Sequence, residues 1–448
     1  MVPSSFVKSL MLGATAATAL AAVAMPGETN TGPVASPPET VGPNPTLAPV
    51  DKHLLPTMQI AVAKGWPAGA KPSAAAGIAV NAFATGLNHP RWLYVLPNGD
   101  VLVAETNSPP KPDDAKGIKG AVMKSVQKKA GAGAPTANRI VLLRDADGDG
   151  VAETKTVFID ALNSPFGMAL VGNDLYVADT DEILKFPYRA GETSIASPGV
   201  KVADLPAGTI NHHWTKNIIA SGDGSKLYAT TGSNSNAGEN GIAAEEGRAG
   251  VWEVDLATGD KRVFAHGIRN PNGMAWAPGT NVLWTVANER DELGDDLVPD
   301  YLTSVKDGAF YGFPWSYWGQ HVDDRVTPPR PDMVAKAIPP DFALGAHVAA
   351  LGLVAASQTA LPAPFANGMF IGEHGSWNRK PPVGYKVQFV PFANGQPSGM
   401  PIDVLTGFVD DKGEAWGRPV GVSIDTKGAL LVADDVGNVV WRATGAAH

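Results

Sequence analysis

Short apolar runs alternate with Gly, Asn and Asp turns along this chain, and the alternation repeats. Gly86-Leu87-Asn88-His89-Pro90-Arg91-Trp92-Leu93-Tyr94-Val95 runs through Leu96-Pro97-Asn98-Gly99-Asp100 into Val101-Leu102-Val103-Ala104-Glu105. Ala161-Leu162-Asn163-Ser164-Pro165-Phe166-Gly167-Met168-Ala169-Leu170 is followed in the same way by Asn173-Asp174-Leu175-Tyr176-Val177-Ala178-Asp179. The pattern returns from Gly267, and again from Gly417-Arg418-Pro419-Val420-Gly421-Val422 with Gly428-Ala429-Leu430-Leu431-Val432-Ala433-Asp434. Weaker copies start near Trp214 and Gly352. Each copy reads as strand, turn, strand, with the turn residues that hairpins demand. About six such units, roughly fifty to eighty residues apart, predict a repeat architecture. The fold class expected is all-β: a six-bladed β-propeller of four-stranded antiparallel sheets. Two packed sheets of a sandwich would not explain a polar residue recurring at one point of every unit.

That point is the loop leading into the first apolar strand. It carries Arg91, Asn163, His213, Arg269 and Arg418. Innermost propeller strands line a central channel, so these loops are expected to meet at one mouth of it. In His266-Gly267-Ile268-Arg269-Asn270-Pro271-Asn272-Gly273-Met274, Pro271 restricts its own backbone and that of Asn270, which holds Arg269 and Asn270 on a stiff corner. A rigid guanidinium fork suits carboxylate binding or carbonyl polarisation; an arginine packed only for structure is the other reading of this corner.

Composition narrows the setting. With 50 Gly and 38 Pro among 448 residues, the chain favours many turns over long helices. A net charge of -9 argues against a nucleic-acid partner. Lys8 precedes an apolar run from Leu10 to Val23 that ends Ala22-Val23-Ala24, the pattern of a secretory signal peptide over 1–24. The protein is therefore expected to be periplasmic or secreted, with no membrane span after cleavage. The chain has no cysteine, which excludes disulfides, thiolate metal sites and an attached haem. Residues 25–73 are Pro- and Ala-rich and read as a largely unstructured linker before a propeller over 74–448. Residues 109–138 read as a loop inserted between two strands. There is no G-x-S-x-G elbow, P-loop or dinucleotide fingerprint, so hydride transfer would need a cofactor that is not a nucleotide.

Four motifs together resemble a known family. They are Asn211-His212-His213-Trp214-Thr215-Lys216-Asn217, Gly267-Ile268-Arg269-Asn270-Pro271, Tyr311-Gly312-Phe313-Pro314-Trp315 and Gly372-Glu373-His374-Gly375-Ser376-Trp377-Asn378-Arg379. In this order they look like the soluble glucose/sorbosone dehydrogenases, and more like the sorbosone branch. The resemblance implies a propeller carrying pyrroloquinoline quinone (PQQ) and calcium, an aldose or sugar aldehyde as substrate, and an external electron acceptor.

Carried over residue by residue, the resemblance makes His213 the base that takes the substrate proton, a role that needs a group titrating near neutrality. His212 stands where glucose dehydrogenase has a sugar-holding aspartate, and Asn163 and Trp416 join it as substrate contacts. Arg269 and Asn270 match the pair beside the quinone carbonyls. Arg418 matches one arginine bracketing the cofactor; the second arginine of that group is Trp416 here. The family's cofactor lysine has no clear counterpart, and Arg379 or Lys380 could serve. Calcium ligands fall in Glu289-Arg290-Asp291-Glu292, partly through main-chain carbonyls, with Arg290, Asp291 and Asp295 as candidates and Asp296 nearby. The residues also suggest a separate structural calcium loop, Asp145-Ala146-Asp147-Gly148-Asp149-Gly150, whose twelfth position is Thr156 and not Glu; an Asp-Gly hairpin turn looks similar. Two other functions fit a propeller: a calcium-dependent lactone hydrolase and a non-catalytic binding protein.

Overall fold

A computed structural model describes residues 32–51, 57, 59–110 and 134–446. The expected signal peptide and most of the expected inserted loop lie outside these residues. Among them are six antiparallel blades with a four-stranded core, as the repeat predicts; five are four-stranded sheets, and that of blade 5 is widened to six strands by short additions at its edge. The innermost strands are Pro90–Val95 in blade 1, Met168–Val171 in blade 2 and Ile218–Ala220 in blade 3. Asn270–Trp276, Ala350–Ala355 and Pro419–Ile424 take the same place in blades 4, 5 and 6.

Blade 6 closes the ring. Its outermost strand is Ile78–Thr85, from the start of the propeller, paired with Val439–Gly445 from its end. The two ends of the chain's repeat are thereby tied by backbone hydrogen bonds.

Neighbouring innermost strands approach backbone to backbone. A Cβ added to Gly167 of blade 2 would collide with the backbone of Asn217 and Ile218 leading into blade 3. One added to Gly352 of blade 5 would collide with the Val420 carbonyl of blade 6. Only glycine allows this contact. Beneath it Trp92, Phe166, Trp214, Leu351 and Val420, from five blades, join one apolar cluster. Trp92 and Phe166 meet at a tilt, their ring centres 4.8 Å apart, and Phe166 meets Trp214 edge-on at 6.1 Å. Each such side chain contributes roughly 1.5–3 kcal/mol when fully buried, and together they form a floor under the channel mouth.

Within the stretch 25–73, expected to be linker, the described residues carry two short strands. Val62–Ala63 pairs with Glu414–Ala415, and Ser73–Ala74 adds to the edge of blade 5 through Leu405 and Thr406. Trp66 packs against Phe408 and Trp441 and donates to Asp434 Oδ2 at 2.7 Å. A Pro/Ala-rich composition does not prevent two-residue strands where a large aromatic side chain anchors them to an existing sheet. Among the described residues no helix is long and apolar enough to cross a membrane.

Candidate active site

A register shift recurs at the start of the innermost strand in blades 1, 4, 5 and 6, after Pro90, Pro271, Ala350 and Pro419. Such bulges leave residues outside the ladder and re-aim their side chains. In blades 1, 2 and 6 a carboxylate at the end of the second strand then fixes the leading loop. Glu105 accepts from Asn88 N at 2.7 Å, Asp179 from Asn163 N at 2.7 Å, and Asp434 from Arg418 N at 2.8 Å. The repeat thus builds anchored loops around one mouth.

On the side formed by blades 3 and 4, His213 and Asn270 meet. Gly232 lies between them, and a Cβ there would strike both Asn270 Oδ1 and His213 Cβ. His213 Nδ1 lies 2.8 Å from the Ser233 carbonyl and 3.0 Å from Ser233 Oγ, whose own hydroxyl donates to Ser235 O at 2.7 Å. A carbonyl only accepts, so the proton is on Nδ1 and the lone pair is on Nε2. Asn270 Oδ1 is buried without a hydrogen-bond partner.

Arg248 fastens this loop. Its Nε donates to Gly232 O at 2.9 Å, and one terminal nitrogen to Pro206 O and Ala207 O at 3.0 and 3.4 Å. The other terminal nitrogen donates to both Asn211 Oδ1 and His213 O at 3.0 Å. All five N–H groups of the fork have acceptors. Burial lowers its pKa to about 10, which still leaves it charged at neutral pH. Nothing in the sequence around Arg248 marks this role, because its partners lie in other loops.

Arg269 is also engaged by protein. It donates to Asn236 O, Asn236 Oδ1 and Glu289 O at 3.0, 2.9 and 2.8 Å. It braces two loops of the mouth, so its guanidinium is held mainly by protein oxygens and not presented as an open clamp.

The opposite side, from blades 1, 5 and 6, is centred on Asp435. Arg91 donates to Asp435 Oδ2 at 2.6 Å, and His374 Nε2 lies 2.9 Å from the same oxygen, with His89 Nε2 at 3.6 Å. Burial works against the Asp435 charge, but His374, His89 and Arg91 hold its pKa well below the usual carboxylate range. Burial pushes His374 down to about 4, so its ring is neutral. Arg418 stacks over Tyr385 at 5.5 Å and donates to Ala61 O at 2.9 Å. The Nε atoms of Arg91 and Arg418, and Asp435 Oδ1, are buried without partners. Arg91 and His374 thus join Arg418; the charge recurring in the repeat was the signal for Arg91.

Between these sides Asp291 accepts from Asn378 Nδ2 at 2.6 Å and lies 3.5 Å from His347 Nδ1. Burial opposes its charge, while His347, Arg269 and Asn378 lower its pKa. Asp291 is thus brought to the mouth. The Arg290 side chain is not: it is fully buried, donating to Glu289, Pro314 O, Asp323 and Ser316 O, so only its carbonyl is available to a metal.

Arg379 and Lys380 depart from the cofactor role expected of one of them. Arg379 donates to Asp295 O, Pro381 O and Asp296 Oδ1 at 3.0, 2.6 and 2.5 Å. Lys380 is exposed, and its backbone N–H reaches Asp295 Oδ2 at 3.1 Å. Asp295 is therefore bound into this brace through both its carbonyl and its carboxylate, against its expected place among metal ligands. A charge at the end of a motif looks the same in sequence whether it faces a ligand or a neighbouring turn.

Trp416 is half-buried, with its ring 5.7 Å from Trp66. His212 is half-buried beside His213. Asn163 lines a cleft of about 230 Å³ next to this loop. Away from the mouth, on the outer hairpin of blade 1, Asp145, Asp147 and Asp149 are joined by Glu153 within 4.8 Å of one another. Glu153 was not singled out in sequence because it stands before the twelfth position. Lys427 Nζ lies 3.4 Å from Asp145 and offsets part of that charge.

A six-bladed propeller with basic, histidine-rich loops on one mouth defines the class. The chain belongs to the TrAA12-like family, which it matches over residues 134–301 and 330–444. It is similar to the calcium structure of the Trichoderma reesei carbohydrate-active enzyme of family AA12, with a TM-score of 0.68 at 18% identity, over 87% of this chain and 99% of that one. It is similar to the holo form of the PQQ domain of pyranose dehydrogenase from Coprinopsis cinerea, with a TM-score of 0.67 at 18% identity, over 86% and 100% of the two chains. The PQQ-bound aldose sugar dehydrogenase of Streptomyces coelicolor gives 0.52 at 16% identity, over 83% and 100%. An uncharacterized protein of Borreliella burgdorferi is 28% identical over 291 residues, 63% of this chain and 76% of the relative. The group reached through the four motifs is the one in which these propellers fall.

Proposed function

We propose that this protein is an exported, PQQ-dependent dehydrogenase that oxidises an aldose or a sugar aldehyde of the sorbosone kind and hands its electrons to an external acceptor. The observation that carries this reading is the meeting of His213 and Asn270 at Gly232 across from two arginines with unpartnered nitrogens. PQQ is a tricarboxylate ortho-quinone, and when bound it supplies the electron-poor centre that accepts hydride.

The residues fit that group. Arg91 and Arg418 offer N–H donors suited to carboxylates, and their buried Nε atoms lack partners. The apolar floor excludes water beneath the mouth. Calcium belongs to the same proposal, with the Asp291 carboxylate and the Glu289 and Arg290 carbonyls as its oxygens. Glu289 O accepts from Arg269 at 2.8 Å, and a carbonyl oxygen has two lone pairs, so one remains for a hard cation. Asp291 O accepts from both Arg325 and Asn236, at 2.9 and 3.1 Å, and has no lone pair to spare.

His213 takes the proton from the substrate hydroxyl at Nε2. The Ser233 carbonyl fixes its tautomer and steadies the imidazolium that results. Asn270 lies beside the quinone carbonyls in this reading, and its unpartnered Oδ1 is free to accept from a substrate hydroxyl there; His212 contacts the sugar. Reconstitution of the full chain with PQQ and calcium, followed by dye-linked assay on a panel of aldoses and aldehydes, tests this. Sugar-dependent dye reduction is expected. Saturable quinone binding with no turnover on any of them overturns the dehydrogenase reading; cleavage of a lactone with calcium alone replaces it with the hydrolase.

A further inference from the structure

Residues 59–66 precede the blade repeat, yet they lie against its mouth on the side of blades 5 and 6. Gln59 N donates to Trp377 O at 3.0 Å and Lys64 N to Ala415 O at 2.8 Å. Between them Val62–Ala63 pairs with Glu414–Ala415, and Ala61 O accepts from Arg418 Nη2 at 2.9 Å. Trp66 ends the segment. Its Nε1 donates to Asp434 Oδ2 at 2.7 Å, and Asp434 Oδ1 accepts from Arg418 N at 2.8 Å. The backbone and the guanidinium of Arg418 are thus both held through this one segment.

We infer that the segment 59–66 is a working part of the quinone site, in which Trp66 is a positioning residue that acts on the cofactor through Asp434 and Arg418. The inference rests on the quinone dehydrogenase reading and deepens it. Three features separate this role from packing alone. The first is the room made for the indole. A Cβ on Gly417 would strike Trp66 Nε1 and Asp434 Oδ2, and one on Gly437 would strike Trp66 Cδ1 and the same oxygen. Two glycines in different turns, one of them next to Arg418, leave space for a single N–H bond.

The second feature is the charge on Asp434. It is fully buried, and burial raises its pKa to about 6, while bonds from Trp66, Gly437, Arg418 and Trp441 pull it down. An ionised carboxylate holds the Arg418 N–H more firmly than a neutral acid would. Trp66 gives the shorter of the two indole bonds to Oδ2, 2.7 Å against 3.1 Å from Trp441. The third feature is what stays open on Arg418. Its N is bonded to Asp434, its Nη2 to Ala61 O, and its fork lies over the Tyr385 ring at 5.5 Å, yet its Nε is buried without a partner. A fork fixed before the ligand arrives loses less freedom when a carboxylate pairs with it.

The test is a double-mutant cycle on the full chain with calcium, read as quinone Kd by absorbance titration beside the Tm of the quinone-free protein. Trp66→Phe keeps a ring in the space and removes the N–H. It should weaken quinone binding about tenfold, the scale of one hydrogen bond to a charged group. In an Arg418→Gln background it should add no further loss, because it acts through Arg418. The ratio of variant to parent Kd should also shrink from about pH 7 toward about pH 9, since Asp434 without this donor ionises only at higher pH. Asp435, His374, His89 and Arg91 stand beside Asp434 in both proteins and cancel in that ratio. Trp276→Phe is the control. It removes an indole N–H from Ala220 O at the end of blade 4's innermost strand away from the mouth, and should keep the parent's Kd whatever its Tm. If Trp66→Phe does not fold, Trp441→Phe removes the other indole donor from the same oxygen and carries the same cycle. A variant that binds quinone as tightly as the parent, or a loss that adds in full to that of Arg418→Gln, overturns the inference and leaves the dehydrogenase reading standing. If the unaltered protein binds no quinone, the dehydrogenase reading itself fails, and the role of the segment with it.

Discussion

The two sides of the channel mouth use arginine in opposite ways. On the side of blades 3 and 4, Arg248 and Arg269 donate to backbone carbonyls and amide oxygens, which makes them braces. On the side of blades 1, 5 and 6, Arg91 and Arg418 keep a buried Nε without a partner. A buried donor left unpaired costs roughly 1–3 kcal/mol, so such a pair of groups points to a polar ligand that pairs them. One side is built to hold a base still; the other is built to be completed by a ligand.

The most damaging break of this contrast is His213→Ala. Turnover should fall about 10²- to 10⁴-fold, the usual worth of a general base. Quinone affinity should be unchanged, because binding is assigned to the other side. Paired measurement of affinity and rate on one preparation decides it. If quinone binding falls with the rate, His213 belongs to the cofactor's contacts and the division of labour is wrong. His212→Ala should cost less, since it contacts sugar and not the reacting hydroxyl.

Next come the two kinds of arginine. Arg269→Lys removes a planar fork from three loop acceptors and should destabilise by about 2–5 kcal/mol, seen as a lower Tm with or without quinone. Arg418→Gln should leave Tm of the quinone-free protein within a few degrees and weaken quinone binding about tenfold or more, the scale of one charge-assisted hydrogen bond. If Arg269→Lys keeps its Tm and loses quinone affinity, Arg269 is a clamp after all, as the motif resemblance implies.

Much of this was readable from the chain, in a physically understandable way. The hairpin repeat announced the propeller because each blade must solve the same packing problem with the same turn chemistry. The placement of His213 and Arg418 at the mouth was readable because each stands at the repeated point before an innermost strand, and that of Asn270 because it follows Arg269 there. The braces were not. Arg248 and Arg379 are defined mainly by carbonyls outside their own motifs. The partner of Arg91 was no more readable, although the repeat did mark its charge, since Asp435 lies 344 positions away. Nor was the packing of Trp66, whose surroundings in sequence are those of a linker.

The smallest expected effect separates the two sides by pH. Glu373, beside His374 in blade 5, is fully buried, and neither carboxyl oxygen has a partner. In blades 1, 2 and 6 the acid at the corresponding strand end accepts a backbone N–H of the leading loop. In blade 5 the corresponding N–H, from Ala349, goes instead to Asp300 at 2.7 Å. Burial raises the Glu373 pKa from 4.5 to about 8, so the acid is neutral in the fold at neutral pH. The folded state then binds a proton that the unfolded chain releases above about pH 4.5. Stability is present in full below that pH and falls as pH rises through about 8, after which the loss is complete. Glu373→Gln keeps the shape and removes the titration. It should be more stable than the parent at pH 9 by ~1 kcal/mol or more, and the gap should close toward pH 4, since a tenfold difference in proton affinity between the folded and unfolded chains corresponds to about 1.4 kcal/mol before relaxation. Denaturant unfolding of both proteins across this range measures it. A pH-independent gap would mean that Glu373 is ionised and paired in the fold, and that the blade 5 side holds a counter-charge or ion beside it.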